Sequence, residues 1–467
     1  MSQRSDVTRR DAVKMAGAAT ALAAAERIRG APAVQRVHAA SDVVNFAVIG
    51  TGGRGTYLIR HFNGLDGGKC VAVCDVVDEA LKNAIETSKD KPEGYRDYRE
   101  ILARKDVDAV VVTVPLYLHF PITRDALRAG KHVLCEKSLV FRPEEVHGLR
   151  RLCSEHPKQV LQTGLQRRYS RFYQTAKQMI EKGVLGDVTH VRAQWHRNPG
   201  WTMKQYPANQ RERNWRLFRE YSGGLTAELA SHQIDIATWM FGSEPEFVVG
   251  VGSLDFMHDG RDVYDNIQLI YSYPRGRKLM YSSISTNNHL SLFHGDRTEF
   301  GEIIMGTEGT IHITVGTDNE PALGLWFYEP RPEELKKAEA AGEKKATPAG
   351  ASLVSTGKGQ RGFPIIFEGE EISDRDSFLA RELKYAKMWL YQKGVMVPEE
   401  RNPVDTELLS FFDCVRTGKR PVADLEVGLA DSTAVMLSNK AMDEGRRVYM
   451  KEIEEMGLDR VDGVLTA

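Results

Sequence analysis

From position 43 onward, short apolar, β-branched runs alternate with amphipathic stretches of helical period. Val43–Ile49, Cys70–Cys74, Ala109–Val114 and His132–Cys135 read as buried strands. Thr56–Phe62 and His119–Ala129 read as helices, the second stopped at Gly130. Strands separated by helices of this length predict βαβ units and a parallel sheet over 41–165. After about Gln166 the pattern changes. Arg171–Lys182 reads as a helix closing at Gly183, and Val188–Trp195, Phe247–Leu254, Asn266–Tyr273, Lys278–Ser285 and Thr310–Thr314 read as strands. They predict a large, mostly antiparallel open sheet in a second α/β domain over 166–450. Glu333–Gly350 is rich in Lys, Glu and Ala and begins a charged insertion near 333–362. Ser377–Gln392, Glu407–Arg416 and Val427–Glu444 carry helical periodicity, and 451–467 is a tail.

The first strand runs into Gly50-Thr51-Gly52-Gly53-Arg54-Gly55, a G-x-G-x-x-G opening a helix. In that context each glycine has a reason. Gly50 permits the tight turn, Gly52 lets backbone amides approach a pyrophosphate, and Gly55 lets helix and strand pack closely. Phosphates would sit at the helix N-terminus, where free N–H groups and the dipole favour negative charge. Asp75 ends the next strand, where a carboxylate accepts hydrogen bonds from ribose hydroxyls and repels a 2′-phosphate. Val76 and Val77 follow it rather than Arg or Lys. The pattern predicts a Rossmann domain binding NAD in preference to NADP.

Glu136-Lys137 and the Pro115/His119 pair lie just past the C-terminal ends of neighbouring strands, the edge at which open parallel sheets bind ligands. With "VLQTGLQRRY" (160–169), "GGLTAELASHQID" (223–235), "GTEGTI" (306–311) and "LLSFFDCVRTGKRPVADLEVGLADS" (408–432), they make the chain resemble the Gfo/Idh/MocA oxidoreductases. The resemblance spans nearly everything after residue 42 except the insertion. It implies a secondary alcohol of a sugar or cyclitol as substrate, and a homo-oligomer formed through the open sheet. Lys137 matches the lysine of the family's Glu-Lys-Pro motif, with Ser138 in place of the proline. Glu228 and His232 match a helical Asp/His pair, the acid being one methylene longer here. In α-helical geometry Glu228, His232 and Asp235 share one face.

Lys137, His232 and Glu228 are therefore the expected catalytic set. Gly50, Thr51, Gly52, Gly53, Arg54, Gly55, Asp75, Pro115, His119, Glu136, Lys137 and Gln166 are expected at the cofactor. Arg168, Trp195, Trp201, Trp215 and Asp235 are expected at a carbohydrate. Lys137 beside a cationic nicotinamide should lose its proton easily through like-charge repulsion, fitting it for proton transfer. No HExxH or third ligand completes a metal site.

Composition excludes other classes. The net charge is −1, which gives no field for nucleic acid. No stretch approaches the ~20 apolar residues of a membrane span. The five cysteines form no disulfide framework or zinc pattern. Before residue 41 the chain reads as an export signal and linker. Arg9-Arg10 and Lys14 precede a short apolar run, Met15–Ala25, and Thr8–Lys14 resembles the twin-arginine pattern. That pattern implies export in the folded state to the periplasm. Free NAD is scarce there, so the cofactor is expected to be tightly held and regenerated in the site. An NAD-dependent glycosidase, or a sugar-binding protein that merely retains NAD, are the alternative readings.

Overall fold

The computed structural model describes residues 43–197, 206, 210–287, 300–314, 323–329, 332–341, 344–346, 352–354, 363–364 and 401–466. The N-terminal segment 1–40, the helical pattern at Ser377–Gln392 and Trp201 lie outside the described residues.

The first domain alternates strand and helix. Its elements are β1 (Val44–Ile49), α1 (Gly53–Phe62), β2 (Gly68–Cys74), α2 (Asp78–Thr87), β3 (Glu93–Tyr95), α3 (Tyr98–Ala103), β4 (Ala109–Val112), α4 (His119–Arg128), β5 (His132–Glu136), α5 (Pro143–Glu155) and β6 (Leu161–Gly164). All six strands pair in parallel, in the order β3-β2-β1-β4-β5-β6. β4 reads AVVV with every side chain buried, as a central strand covered on both faces by helices requires. The strand order reverses between β1 and β4, so the ligand crevice falls at their C-terminal ends.

The second domain is built on nine strands: β7 (Val188–Trp195), β8 (Phe247–Ser253), β9 (Asn266–Ser272), β10 (Lys278–Ile284), β11 (Phe300–Gly306), β12 (Gly309–Thr314), β13 (Leu323–Tyr328), β16 (Phe363–Pro364) and β17 (Val448–Tyr449), in the order β16-β13-β12-β11-β7-β10-β9-β8-β17. Among the described residues of this sheet, only β7 and β10 pair in parallel. The helices α6 (Arg171–Glu181) and α7 (Ser231–Phe241) join the core against one sheet face. The other face leaves Ile270 and Met280 exposed on directly paired strands, with Val251 beside them. Within the charged insertion lie α8 (Pro332–Ala340) and a hairpin of β14 (Lys344–Ala346) with β15 (Ser352–Val354).

The chain ends with α9 (Pro403–Thr417), α10 (Leu425–Glu444), α11 (Met450–Glu455) and α12 (Val461–Thr466). Periodicity predicted the first two of these. It did not say where they pack. α9 returns to the first domain and sets Phe411 and Phe412 into its core with Phe46 and Phe62. The Phe46–Phe62 and Phe46–Phe412 ring centroids are 4.2 and 5.5 Å apart. Gly68 is needed there, because a Cβ on it would overlap the Phe412 ring. α10 crosses both domains: Gly428 abuts Thr163 of the parallel sheet, and Leu437 lies in the core of the second domain.

Truncating Phe412 to alanine should leave a cavity shared by β1, α1 and α9. We expect a loss of about 3–5 kcal/mol in denaturant unfolding. An unchanged midpoint would show that α9 is not part of the first domain's core.

Candidate functional site

The glycine loop is tied down from three sides. Gly50 adopts a left-handed φ of +90° and its N–H donates to the Cys74 carbonyl at 2.8 Å. A Cβ at Gly50 would come within 2.7 Å of Val114 N, and one at Gly55 within 2.1 Å of Gly50 O. Gly52 and Gly53, by contrast, face open space. The helix after them begins with no side-chain cap. That combination leaves backbone amides bare where a pyrophosphate would approach. Asp75 holds the loop from below: its Oδ2 accepts from Thr51 N at 2.7 Å and Thr51 Oγ1 at 3.2 Å, and its Oδ1 from Val77 N.

Sequence order hid one cation near this edge. Arg96 donates to the Val76 carbonyl at 3.0 Å and pairs with Asp78 at 2.9 Å. It arrives from the β3–α3 turn, twenty residues on, so no local pattern could have placed it beside Asp75.

At the ends of β4 and β5, Pro115 opens the turn into α4, and Glu136 pairs with Arg54 at 2.6 Å. Gln166 leaves its side-chain oxygen buried without a partner, as a residue facing a ligand would. His119 corrects the expectation that it contacts cofactor. Its ring nitrogens are engaged by the Ser138 and Val114 carbonyls at 2.7 and 2.9 Å. Burial pulls its pKa below the usual range, against the upward pull of those carbonyls. Both nitrogens thus face backbone carbonyls, and the one that carries the hydrogen in the neutral ring donates to one of them.

Lys137 leaves the end of β5 and crosses to the second domain. Its Nζ donates to the Ala227 and Glu228 carbonyls at 2.8 and 2.9 Å. Those carbonyls belong to a π-helical turn, Thr226–Ala230, that leads into α7. Burial lowers the Lys137 pKa; Glu228, Glu136 and Asp431 pull it up, and Arg216 pushes it down. His232 stands just beyond the π turn. It is 6% exposed, its Nδ1 has no partner, and its ring lies 5.9 Å from that of Trp195. Burial holds its pKa well below 6.5, helped by the charges of Arg167, Lys137 and Arg54. The amine and the imidazole thus meet in one place, beside the glycine-loop arginine.

The π turn also corrects the expected helix face. Glu228 lies within it, so α-helical spacing does not carry from Glu228 through His232 to Asp235. Glu228 turns to Arg216, with Nε to Oε2 at 3.0 Å. Asp235 turns inward and accepts from Arg168 Nε and an Nη at 2.7–3.0 Å, both side chains buried. Arg168 and Asp235, expected at the carbohydrate, instead satisfy each other beneath the site, with the guanidinium 5.1 Å from the Trp239 ring. Trp215 stacks with Arg216 at 4.3 Å, at the more exposed end of the cluster.

Reading the residues in order missed a second layer. Arg167 pairs with Glu302, which also accepts from the Tyr173 hydroxyl, all three buried. Glu407 of α9 sits unexposed near Arg54 and Glu136, with burial raising its pKa well above normal. Asp431 of α10 is buried, and its charge acts on Lys137. The only signal for the last two was a carboxylate inside an apolar helical run. Among the described residues no His, Cys, Asp or Glu cluster could hold a metal, and no helix is long and apolar enough to cross a membrane.

Comparison with known proteins follows these lines. Residues 44–164 match the model of the oxidoreductase family with an NAD-binding Rossmann fold, and residues 173–312 match the GFO/IDH/MocA C-terminal domain. The chain belongs to the Gfo/Idh/MocA oxidoreductase family. Its first domain is accordingly an NAD-binding Rossmann domain. The inositol 2-dehydrogenase/D-chiro-inositol 3-dehydrogenase of Halalkalibacterium halodurans is 32% identical over 44% of this chain and 55% of its own. The alpha-N-acetylgalactosaminidase of Shewanella oneidensis is 29% identical over 38% of this chain and 40% of its own. The chain thus spans about half the length of these curated relatives. The aldose-aldose oxidoreductase of Caulobacter crescentus, solved with glycerol, shares the fold at a TM-score of 0.62 and 21% identity, covering 87% of this chain and 99% of its own.

The neutral state of His232 has a measurable consequence. An unfolded histidine takes up a proton below about pH 6.5, while the folded imidazole resists it. Stability therefore falls as pH drops below that value, by up to about 1.4 kcal/mol per pH unit for one proton. His232→Asn should flatten the acid limb of unfolding free energy against pH by that single proton. An identical limb would mean that His232 protonates freely in the folded protein.

Proposed function

We propose that this protein is an NAD-dependent oxidoreductase that moves hydride between a tightly held nicotinamide cofactor and a secondary alcohol of a sugar, sugar derivative or cyclitol. The observation that carries this reading is the convergence of Lys137 and His232 at the C-terminal edge of the parallel sheet, next to a glycine loop built for a dinucleotide. The residues fit such a cofactor. Gly52 and Gly53 leave its phosphates room, Asp75 shapes the loop at the ribose edge, and the orphan oxygen of Gln166 awaits a donor. NAD, when bound, supplies the hydride acceptor or donor.

The chain supplies binding and proton handling. Lys137, with its proton loosened by burial, takes the hydroxyl proton in oxidation and returns it in reduction. His232, neutral and with a free Nδ1, faces the same hydroxyl as hydrogen-bond partner and relay. Glu228, held by Arg216, reaches a neighbouring hydroxyl. Trp195 and Trp215 offer apolar faces to a sugar ring.

Export through the twin-arginine route to the periplasm, with NAD loaded before export, is part of the same proposal. So is a homo-oligomer formed on the open sheet face, where Ile270, Met280 and Val251 present apolar surface.

Heat-denatured purified protein should release NAD into the supernatant, and the loaded protein should oxidise myo-inositol, scyllo-inositol or an aldose with a second sugar as acceptor. Release of nitrophenol from aryl glycosides, with no net redox on free sugars, would establish the glycosidase reading instead. Lys137→Ala should lower kcat by roughly 10²–10⁴-fold with NAD still bound. Full turnover by that variant would overturn the assignment of the proton-transfer group.

A further inference from the structure

Gly53 and Arg54 open α1 just past the end of β1, while Glu136 ends β5. The sheet order places β4 between β1 and β5. With neighbouring strands about 4.8 Å apart, the ends of β1 and β5 are separated by roughly 10 Å. The Arg54 side chain covers that distance, and its Nε donates to Glu136 Oε1 at 2.6 Å. The dinucleotide crevice opens where the strand order reverses, between β1 and β4. The ion pair therefore joins one wall of the crevice to the other.

Both partners are held in place. Thr56 N donates to the Gly52 carbonyl at 2.9 Å and Thr56 Oγ1 to the Thr51 carbonyl at 2.8 Å, which fixes the first turn of α1 on the loop. The guanidinium carbon lies 5.3 Å from the Tyr57 ring. Glu136 rests on Gly164 of β6, where a Cβ would come within 3.0 Å of its carboxyl carbon. The Arg54 and Glu136 side chains are 25% and 9% exposed. Among the described residues Glu136 is the only carboxylate bonded to Arg54. The guanidinium keeps a donor in reserve: its Nη2 is buried and has no hydrogen-bond partner. Leaving such a donor unpaired is unfavourable, more so for a charged group. Gly52 and Gly53 stand just before it in the chain, with open space around them. Asp75, at the adenosine ribose, ends β2 on the other side of β1. Arg54 reaches the opposite way, toward the part of the crevice where the nicotinamide half lies.

We propose that the Arg54–Glu136 pair latches the bound dinucleotide, with Glu136 holding the guanidinium across the crevice and the spare Nη2 donating to an oxygen of the nicotinamide-nucleotide half. The inference rests on NAD being tightly held and says what holds it. Release then requires the bond to Nη2 to break and the ion pair to part, so the pair sets how slowly the cofactor leaves.

The test needs no sugar. Full-length protein is stripped of nucleotide, loaded with NADH and chased with excess NAD, and nicotinamide fluorescence follows release. Arg54→Met and Glu136→Gln should each release NADH about tenfold faster, the effect of losing one charged hydrogen bond. The double variant should be no faster than Arg54→Met, because both changes remove the same latch. AMP, which lacks the nicotinamide half, should bind the wild type and the variants equally. Glu136→Gln is nearly isosteric and keeps the test decisive if Arg54→Met does not fold. Unchanged release in a folded variant overturns the proposal. So does an equal weakening of AMP and NADH, which would make the pair a support for the loop alone. Fast NADH loss from the wild type would refute tight retention, whereas the latch is judged by the ratio of variant to wild-type rates. Failure of every sugar and cyclitol assay would bear on the proposed reaction and leave that ratio unaffected.

Discussion

The Lys137 ammonium sits at the end of a parallel strand of one domain and gives two of its hydrogens to the Ala227 and Glu228 carbonyls of the other. This bridge brings the strand edge that binds the dinucleotide against the helix that carries His232. It also leaves Lys137 half-buried, and that desolvation lowers its pKa. Without the bridge the nucleotide edge and the helix that carries His232 would not be joined at Lys137.

Three devices hold the bridge in register. The π-helical turn at Thr226–Ala230 presents the two carbonyls and sets Glu228 off the α-helical register of His232 and Asp235. His119 packs between the β4 and β5 turns with its ring nitrogens facing the Val114 and Ser138 carbonyls. Ser432 of α10 fastens the β5 turn from the opposite side. Beneath them, the Arg168–Asp235 and Arg167–Glu302 pairs are buried and mutually satisfied. Buried pairs of this kind contribute little net stability, since desolvation offsets their attraction. Here they fix the floor on which the site residues stand.

Charge is apportioned with similar economy. His232 is kept neutral by burial and by surrounding cations, while Glu407 and Asp431 are pushed toward their protonated forms by burial and by neighbouring carboxylates. Opposed shifts of this kind separate the groups that hold protons from those that lack them at neutral pH. The glycine loop remains the one part of the site with bare amides and open space, as a ligand carrying its own negative charge requires.

Local pattern alone determined the parallel βαβ domain, the glycine loop with its acidic partner and the second sheet, because each is written in periodicity or in spacing over a few residues; Lys137 and His232 were singled out by the resemblance to the family's motifs. Tertiary structure alone decided the rest. Asp235 and Arg168 turned to each other as a buried pair, and a π turn shifted Glu228 out of the α-helical register of His232 and Asp235, a change that no periodicity reveals. His119 went to backbone carbonyls because two turns converge on it. Arg96 came from a turn, and Glu302, Glu407 and Asp431 came from a strand and two helices, all distant in sequence, and the burial that gives the two C-terminal carboxyls their chemistry exists only once those helices have packed across both domains.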